Sequence, residues 1–257
     1  MLVRAVLALI MMMLPAPAPA GPVLPRGFVY LRDVDPTIVQ DMRYAGSHNF
    51  VGRPISGYLA AECILSAPAA AALAKAQQAL AAEKLSLIVW DCYRPIRAVQ
   101  DFLRWSRQAA QTGMKAEFYP RADKQNLFAL GYLAPRSAHS RGSTVDLGLV
   151  PRGATPAPPP DPAQPPKPCT AAKGERYDDG TIDLGTGYDC LDTLAGTASA
   201  AVGRTALDNR RKLKSVMTAA GFRSYFREWW HFELIGEPFH RGFDFEVAAP
   251  GPQTPGK

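Results

Sequence analysis

Two short segments hold the residues best suited to chemistry in this chain: Ser137-Ala-His139-Ser-Arg141-Gly142-Ser-Thr-Val-Asp146 and Glu228-Trp-Trp-His231. Together they offer two imidazoles, an aspartate and a separate glutamate. A catalytic zinc site takes three protein ligands from His, Asp, Glu or Cys, leaves a position for water, and needs a further base for that water's proton. His139, Asp146 and His231 would supply the ligands and Glu228 the base. Ser, Gly and Asp are ordinary loop residues and a strand can pack aromatics, so either segment alone is a weak signal. The chain has only four histidines, however, and two of them fall inside these two segments. His48 and His240 have no such surroundings. A helical H-E-x-x-H site needs two histidines four residues apart on one helix face, and the sequence has no such pair. The ion, one per chain, is therefore expected on separate strands and loops.

The elements that must position these groups follow from periodicity. Ser143 to Val150 alternates, with Val145, Leu147 and Leu149 on one face and Asp146 on the other, which predicts a half-buried strand. His139 precedes that strand across Arg141-Gly142, in a turn that folds back towards the carboxylate. Trp229, Trp230, Phe232 and Leu234 are strand formers, but an offset of three puts Glu228 and His231 on opposite faces of a regular strand. Glu228 is therefore expected at the strand's entry. Upstream, Ser66 opens an Ala- and Leu-rich helix to about Lys84, and Leu85 to Trp90 reads as a buried strand. Pro95 starts a helix with Ile96, Val99 and Leu103 on one face and Gly113 as its stop, and Asn209 to Ala220 forms a helix ended by Gly221. Early helices and late site strands predict an α+β single domain, with helices packed on a central antiparallel sheet.

Beyond the two metal motifs, the chain carries Asp41-Met-Arg-Tyr44, Asn49-Phe50, Trp90-Asp-Cys-Tyr93-Arg94-Pro95, Phe118-Tyr119-Pro120, Gly185-Thr-Gly-Tyr-Asp189 and Asn209-Arg-Arg211. With these segments the sequence resembles the D-alanyl-D-alanine dipeptidases, the zinc peptidases of vancomycin resistance and cell-wall recycling. The resemblance implies the zinc fold of the D-Ala-D-Ala peptidases and hedgehog-like domains, a small D-amino-acid dipeptide as substrate, His139, Asp146 and His231 as zinc ligands, and Glu228 as general base. It further implies Arg94 as the group that stabilises the tetrahedral intermediate, and Tyr44 and Asp189 as the lining for the substrate's amino group. Ser137 becomes a further substrate contact. The chain departs from the family pattern at Cys92, commonly glycine there, and in the proline-rich run 151–168, which reads as an exposed loop.

Residues 1–20 combine Arg4, an apolar run from Val6 to Leu14 and small residues before Gly21, the form of a secretory signal peptide. The run is too short to span a bilayer as a helix, and no cysteine follows it closely enough for a lipid anchor. Cleavage after Ala20 is expected, leaving residues 21–257 as a periplasmic or secreted domain. Export permits disulfides, and four cysteines allow three pairings. Cys63 with Cys92 and Cys169 with Cys190 is favoured, because each bond joins a loop to a segment carrying Arg94 or Asp189. A zinc-thiolate site is disfavoured by the lack of a C-x-x-C pair.

The net charge of +6 comes from scattered Lys and Arg with no basic block, so neither nucleic-acid binding nor stable membrane insertion is expected. The oligomeric state stays open. A D,D-carboxypeptidase acting on peptidoglycan stem peptides would use the same ligands. A non-catalytic zinc-containing wall-binding module would not need Glu228 and Arg94, and both are present.

Overall fold

The computed structural model describes residues 23–251, so the expected signal peptide lies outside the described residues. In chain order the regular elements are β1 (Phe28–Tyr30), α1 (Leu31–Val34), β2 (Val39–Gln40), β3 (Ile64–Ser66), α2 (Ala67–Leu80), β4 (Leu85–Asp91), α3 (Ile96–Ser106), α4 (Lys115–Phe118), β5 (Thr144–Pro151), α5 (Arg204–Ala219), β6 (Phe222–Ser224) and β7 (His231–Leu234). Five strands form one sheet in the order β2-β4-β5-β7-β6, and β1 pairs with β3 in a separate ribbon. The fold is α+β as expected. The main sheet is antiparallel except at its β2 edge, which runs parallel to β4.

Local sequence accounts for the elements. The Ser66 hydroxyl accepts a hydrogen bond from the Ala69 amide, capping the first turn of α2. The α-helix ends at Leu80, short of the expected Lys84, and passes into a 3-10 turn, Ala81–Glu83, that closes where Lys84 takes a left-handed backbone conformation, φ 55°. Helix α5 starts at Arg204, just after Gly203 and earlier than the expected Asn209, and buries Ala206, Arg210, Leu213 and Met217 at helical spacing. Both α2 and α5 contribute to the main core over β4 and β5. Helix α3 departs from expectation twice. It stops at Ser106, with Trp105 its last core anchor, and its buried face is Ala98, Val99, Phe102 and Trp105, whereas Ile96 is exposed and Leu103 only half-buried.

Strand β5 is a further correction, because Thr144 to Val150 is buried on both faces rather than half-buried. It lies at the centre of the sheet, and Gly148 brings its backbone against Trp90 so closely that an added Cβ would sit 2.6 Å from the indole ring. An aromatic second core packs beside the sheet around Phe28, Tyr44, Phe50, Phe102 and Trp105. The run after Pro151 is an exposed strap, held in part by the Tyr177 hydroxyl, which donates to the Pro158 carbonyl at 2.8 Å.

Two disulfides fasten this architecture, Cys63–Cys92 with Cα atoms 5.3 Å apart and Cys169–Cys190 with Cα atoms 5.5 Å apart. No described cysteine is left for a thiolate site. The Cys63–Cys92 bond closes a loop with a sequence separation of 29. In the chain-entropy view such a loop contributes about 3–4 kcal/mol. The Cys63→Ala, Cys92→Ala double variant is expected to lose about that much unfolding free energy, measured by urea denaturation against the oxidised parent.

Candidate active site

Strand register builds the centre of the site. Asp91 of β4 lies opposite Asp146 of β5, and Asp146 lies opposite His231 of β7, so three polar residues form a row across three strands. The register between β4 and β5 shifts between Val89 and Asp91, a bulge that re-aims the end of a strand. His139 joins the row from a short 3-10 turn, Ala138–Arg141, whose exit is Gly142 at φ 79°. Glycine is required there twice over, for the left-handed backbone and because an added Cβ would sit 2.2 Å from the Phe28 ring.

Glu228 precedes β7 in a tight turn closed by the His231 amide donating to the Glu228 carbonyl at 3.2 Å. The turn removes the opposite-face problem and places Glu228 Oε2 3.7 Å from His231 Nδ1. Trp229 and Trp230, read as strand residues, instead form this turn and anchor it in the core. The Trp229 indole donates to Thr186 Oγ1 at 2.8 Å.

Three donor atoms converge at the row. His139 Nε2 lies 3.3 Å from His231 Nδ1 and 3.3 Å from Asp146 Oδ1, and His231 Nδ1 lies 3.0 Å from the same oxygen. A tetrahedral ion bonded at about 2.0–2.2 Å to nitrogen and oxygen keeps its ligand atoms roughly 3.3–3.6 Å apart, within a few tenths of an ångström of these separations. The tautomer of His139 fits the same use. Its Nδ1–H donates to the Cys92 carbonyl at 2.8 Å, which leaves the Nε2 lone pair facing the other two groups. The donor set, two nitrogens and one carboxylate oxygen, suits zinc.

The surrounding charges reinforce one another. Burial works against ionising Asp146, but His139 and His231 override it and hold the carboxyl well below its usual range. Burial also opposes charge on His231, yet its bonds to Asp146 and Glu233 push the imidazole up to about 10. Glu228 goes the other way: burial, with Asp146 adding to it against an opposing pull from His231, lifts its carboxyl to about 7.

Sequence reasoning left Asp91 without a role, although it stands in the quoted Trp90-Asp-Cys-Tyr93-Arg94-Pro95 segment. It is fully buried, accepts from the Tyr58 hydroxyl at 2.5 Å and from Arg94 Nε at 2.8 Å, and lies 3.3 Å from His139 Nδ1. Asp91 thus links the arginine to the imidazole. An acid directly before a cysteine and two residues from a Tyr-Arg-Pro run was the available signal. Tyr188, likewise unassigned, donates to Asp146 Oδ2 at 3.2 Å.

A cavity of about 420 Å³ opens over this row, and its wall includes Tyr44, Arg94, Ser137, Asp189 and Glu228 as well as the three donors. The structure therefore brings together every site residue expected from sequence. The Tyr44 hydroxyl donates to Asp189 Oδ2 at 2.7 Å. Asp189 is in a left-handed conformation, φ 54°, and burial and then Asp146 raise its carboxyl well above the usual range. The buried Arg210 steadies this loop by donating to the Leu184, Leu194 and Gly196 carbonyls. His48, expected to be unremarkable, is half-buried and lies 2.7 Å from Glu117 and 2.9 Å from Arg43.

The family model described as D-ala-D-ala dipeptidase matches residues 25–155 and 175–248, which include the whole row and the cavity's acidic and basic groups. The chain belongs to the D-ala-D-ala dipeptidase family. It is 37% identical over 222 residues to the D-alanyl-D-alanine dipeptidase of Streptomyces coelicolor, covering 86% of this chain and 98% of that protein. The enzyme of the same name from Enterococcus faecalis is 34% identical over 224 residues, with 86% and 98% covered. That from Escherichia coli K12 is 29% identical over 207 residues, with 80% and 83% covered. The family match omits 156–174, most of the proline-rich strap. Members of this family are metallopeptidases, which agrees with the three-donor cluster.

Asp91 touches no donor atom that would face an ion, so its effect there must pass through His139 and Arg94. Removing such outer support typically weakens metal binding 10–100-fold. Asp91→Asn is expected to weaken metal affinity about tenfold or more, read by competition with a chromogenic chelator, while far-UV circular dichroism stays unchanged.

Proposed function

We propose that this chain is an exported zinc dipeptidase that hydrolyses D-alanyl-D-alanine to two D-alanines in cell-wall metabolism. The observation that carries this reading is the set of three donor atoms 3.0–3.3 Å apart with the buried Glu228 carboxyl alongside. The substrate is supported by the names of the relatives. His139, Asp146 and His231 would hold the ion, and its chemistry is Lewis acidity, which can lower the pKa of a water from 15.7 to about 7.

The protein's own groups do the rest. Glu228, with a carboxyl raised to about 7, can take the proton of the attacking water near neutral pH and release it to the departing amine. Arg94 stays cationic despite burial because Asp91 lies 2.7 Å away, and it faces the cavity where the oxyanion develops. The Tyr44–Asp189 pair would receive the dipeptide's ammonium group. Asp189 is raised well above its usual range by burial, so an incoming cation would draw it back to the ionised form. Ser137, also on the cavity wall, would bind the peptide beside Arg94.

Residues 1–20 would act as a cleavable export signal, with residues 21–257 as one dipeptidase domain in the periplasm or outside the cell. The Arg4 and apolar-run pattern supports this, and so do the two disulfides, which persist in oxidising compartments.

The test is D-alanine release by zinc-loaded mature protein from free D-Ala-D-Ala and from a peptidoglycan stem pentapeptide, each with and without chelator. Chelator-sensitive release from the dipeptide alone is expected; release from the pentapeptide would indicate a carboxypeptidase, and release from neither would overturn the reading. Glu228→Ala should abolish turnover with zinc still bound, and near-normal turnover would remove Glu228 from its role. By comparison with the loss of one oxyanion donor, Arg94→Ala should lower kcat roughly 10²–10³-fold, checked by steady-state kinetics at saturating dipeptide.

A further inference from the structure

A free dipeptide carries a carboxylate as well as an ammonium group, and the roles above leave the carboxylate without a partner. Four arginines line the cavity: Arg94, Arg136, Arg141 and Arg223. Three are committed. Arg94 contacts Asp91 at 2.7 Å, Arg141 contacts Glu237 at 2.6 Å, and Arg223 contacts Glu233 at 2.6 Å. Arg136 is exposed, and among the described residues no carboxylate lies within ion-pair distance of it. The wall it occupies, from Gly131 to Arg141, contains no Asp or Glu.

Its neighbour is prepared for the same ligand. Ser137 Oγ accepts the His139 amide proton at 3.3 Å and lies 3.5 Å from Arg94 Nη1. With both contacts supplied by donors, the hydroxyl proton of Ser137 is available to an anion. On its other side Arg136 borders a second cavity, of about 570 Å³, whose wall also carries Arg141, His240 and Arg241. With Arg141 paired to Glu237, the uncommitted positive charge on this wall comes from Arg136 and, across the second cavity, Arg241, and it draws a carboxylate here and away from the acidic Asp189 and Glu228. A guanidinium fork matches a carboxylate with two parallel hydrogen bonds.

We propose that Arg136, with the Ser137 hydroxyl beside it, binds the free C-terminal carboxylate of the dipeptide and so selects for substrates that end one residue beyond the scissile bond. This rests on the dipeptidase reading. Arg136 touches substrate away from the reacting atoms, so its loss should appear in KM and binding rather than in kcat.

The test compares zinc-loaded wild type, Arg136→Ala and Arg136→Lys on D-Ala-D-Ala and on its C-terminal amide. Expected results are a KM for the free acid raised about tenfold or more in Arg136→Ala, equivalent to about 1.4 kcal/mol, with kcat within about twofold and partial recovery in Arg136→Lys. Wild type should prefer the acid to the amide, and Arg136→Ala should lose that preference. Calorimetry of dipeptide binding to Glu228→Ala, with and without Arg136→Ala, should show the same tenfold loss without turnover. An unchanged KM and acid preference in Arg136→Ala, with wild type active, would overturn the role of Arg136 alone. A wild type inactive on the dipeptide would overturn the dipeptidase reading and this proposal with it.

Discussion

The register of three strands is the constraint on which the rest of the site depends. Asp91, Asp146 and His231 are neighbours because β4, β5 and β7 pair in one alignment. A slip of one residue would turn each of these side chains to the opposite face and replace it with core apolar groups. That alignment is fixed by burial on both sides of β5 and by the close approach of Gly148 to Trp90. The hydrophobic core and the polar row are thus two readings of the same pairing. The core contributes the free energy, and the row uses the geometry.

Around the row, the electrostatics divide into groups held charged by touching partners and groups whose ionisation burial opposes. Asp146 and Arg94 stay ionised in a buried setting because opposite charges touch them, whereas Glu228 and Asp189 are raised because burial dominates. Carboxyls held at different protonation within one cavity can serve as ligand, proton carrier and cation receptor without exchanging roles. The tryptophans at 229 and 230 matter here as dielectric: both are almost fully buried, and they surround the turn from which Glu228 projects.

Much of this was legible in the sequence, and the misses share a cause. The three clustered donors and Glu228 could be picked out together because the chemistry restricts residue types and because the sequence has only four histidines. The strand at Thr144–Pro151 was legible by alternation, but its two-sided burial was not, since alternation describes one face and is silent on what covers the other. Trp229 and Trp230 have strand propensity, yet the turn closed between His231 and Glu228 prevails because it buries both indoles. The extent of α3 was misjudged because Gly113 is a visible stop, while the actual end follows from where Trp105 meets the core. Asp91 was missed because its partners, Tyr58 and His139, come from distant parts of the chain. Contacts between such distant segments leave no local pattern, and the one local cue was its spacing from Arg94 in the Tyr-Arg-Pro run.

The Phe28 ring that lies over Gly142 also stacks on Phe239 at 5.1 Å and meets Phe245 edge-on at 5.0 Å. The Phe243 amide in turn donates to the Ser140 carbonyl, within the turn that carries His139. The first strand and the last described segment therefore close over the same few residues, which are separated from both in sequence. Contacts of such long range form late, after the entropy of closing the intervening loops has been overcome. Strands β4 and β5 can pair before the C-terminal residues are in place, but the turn beside them cannot acquire its final support until then. The cavity is in this sense the last part of the molecule to be completed, and a chain cut short before Phe239 would keep His139, Asp146, Glu228 and His231 but not the aromatic brace over the His139 turn.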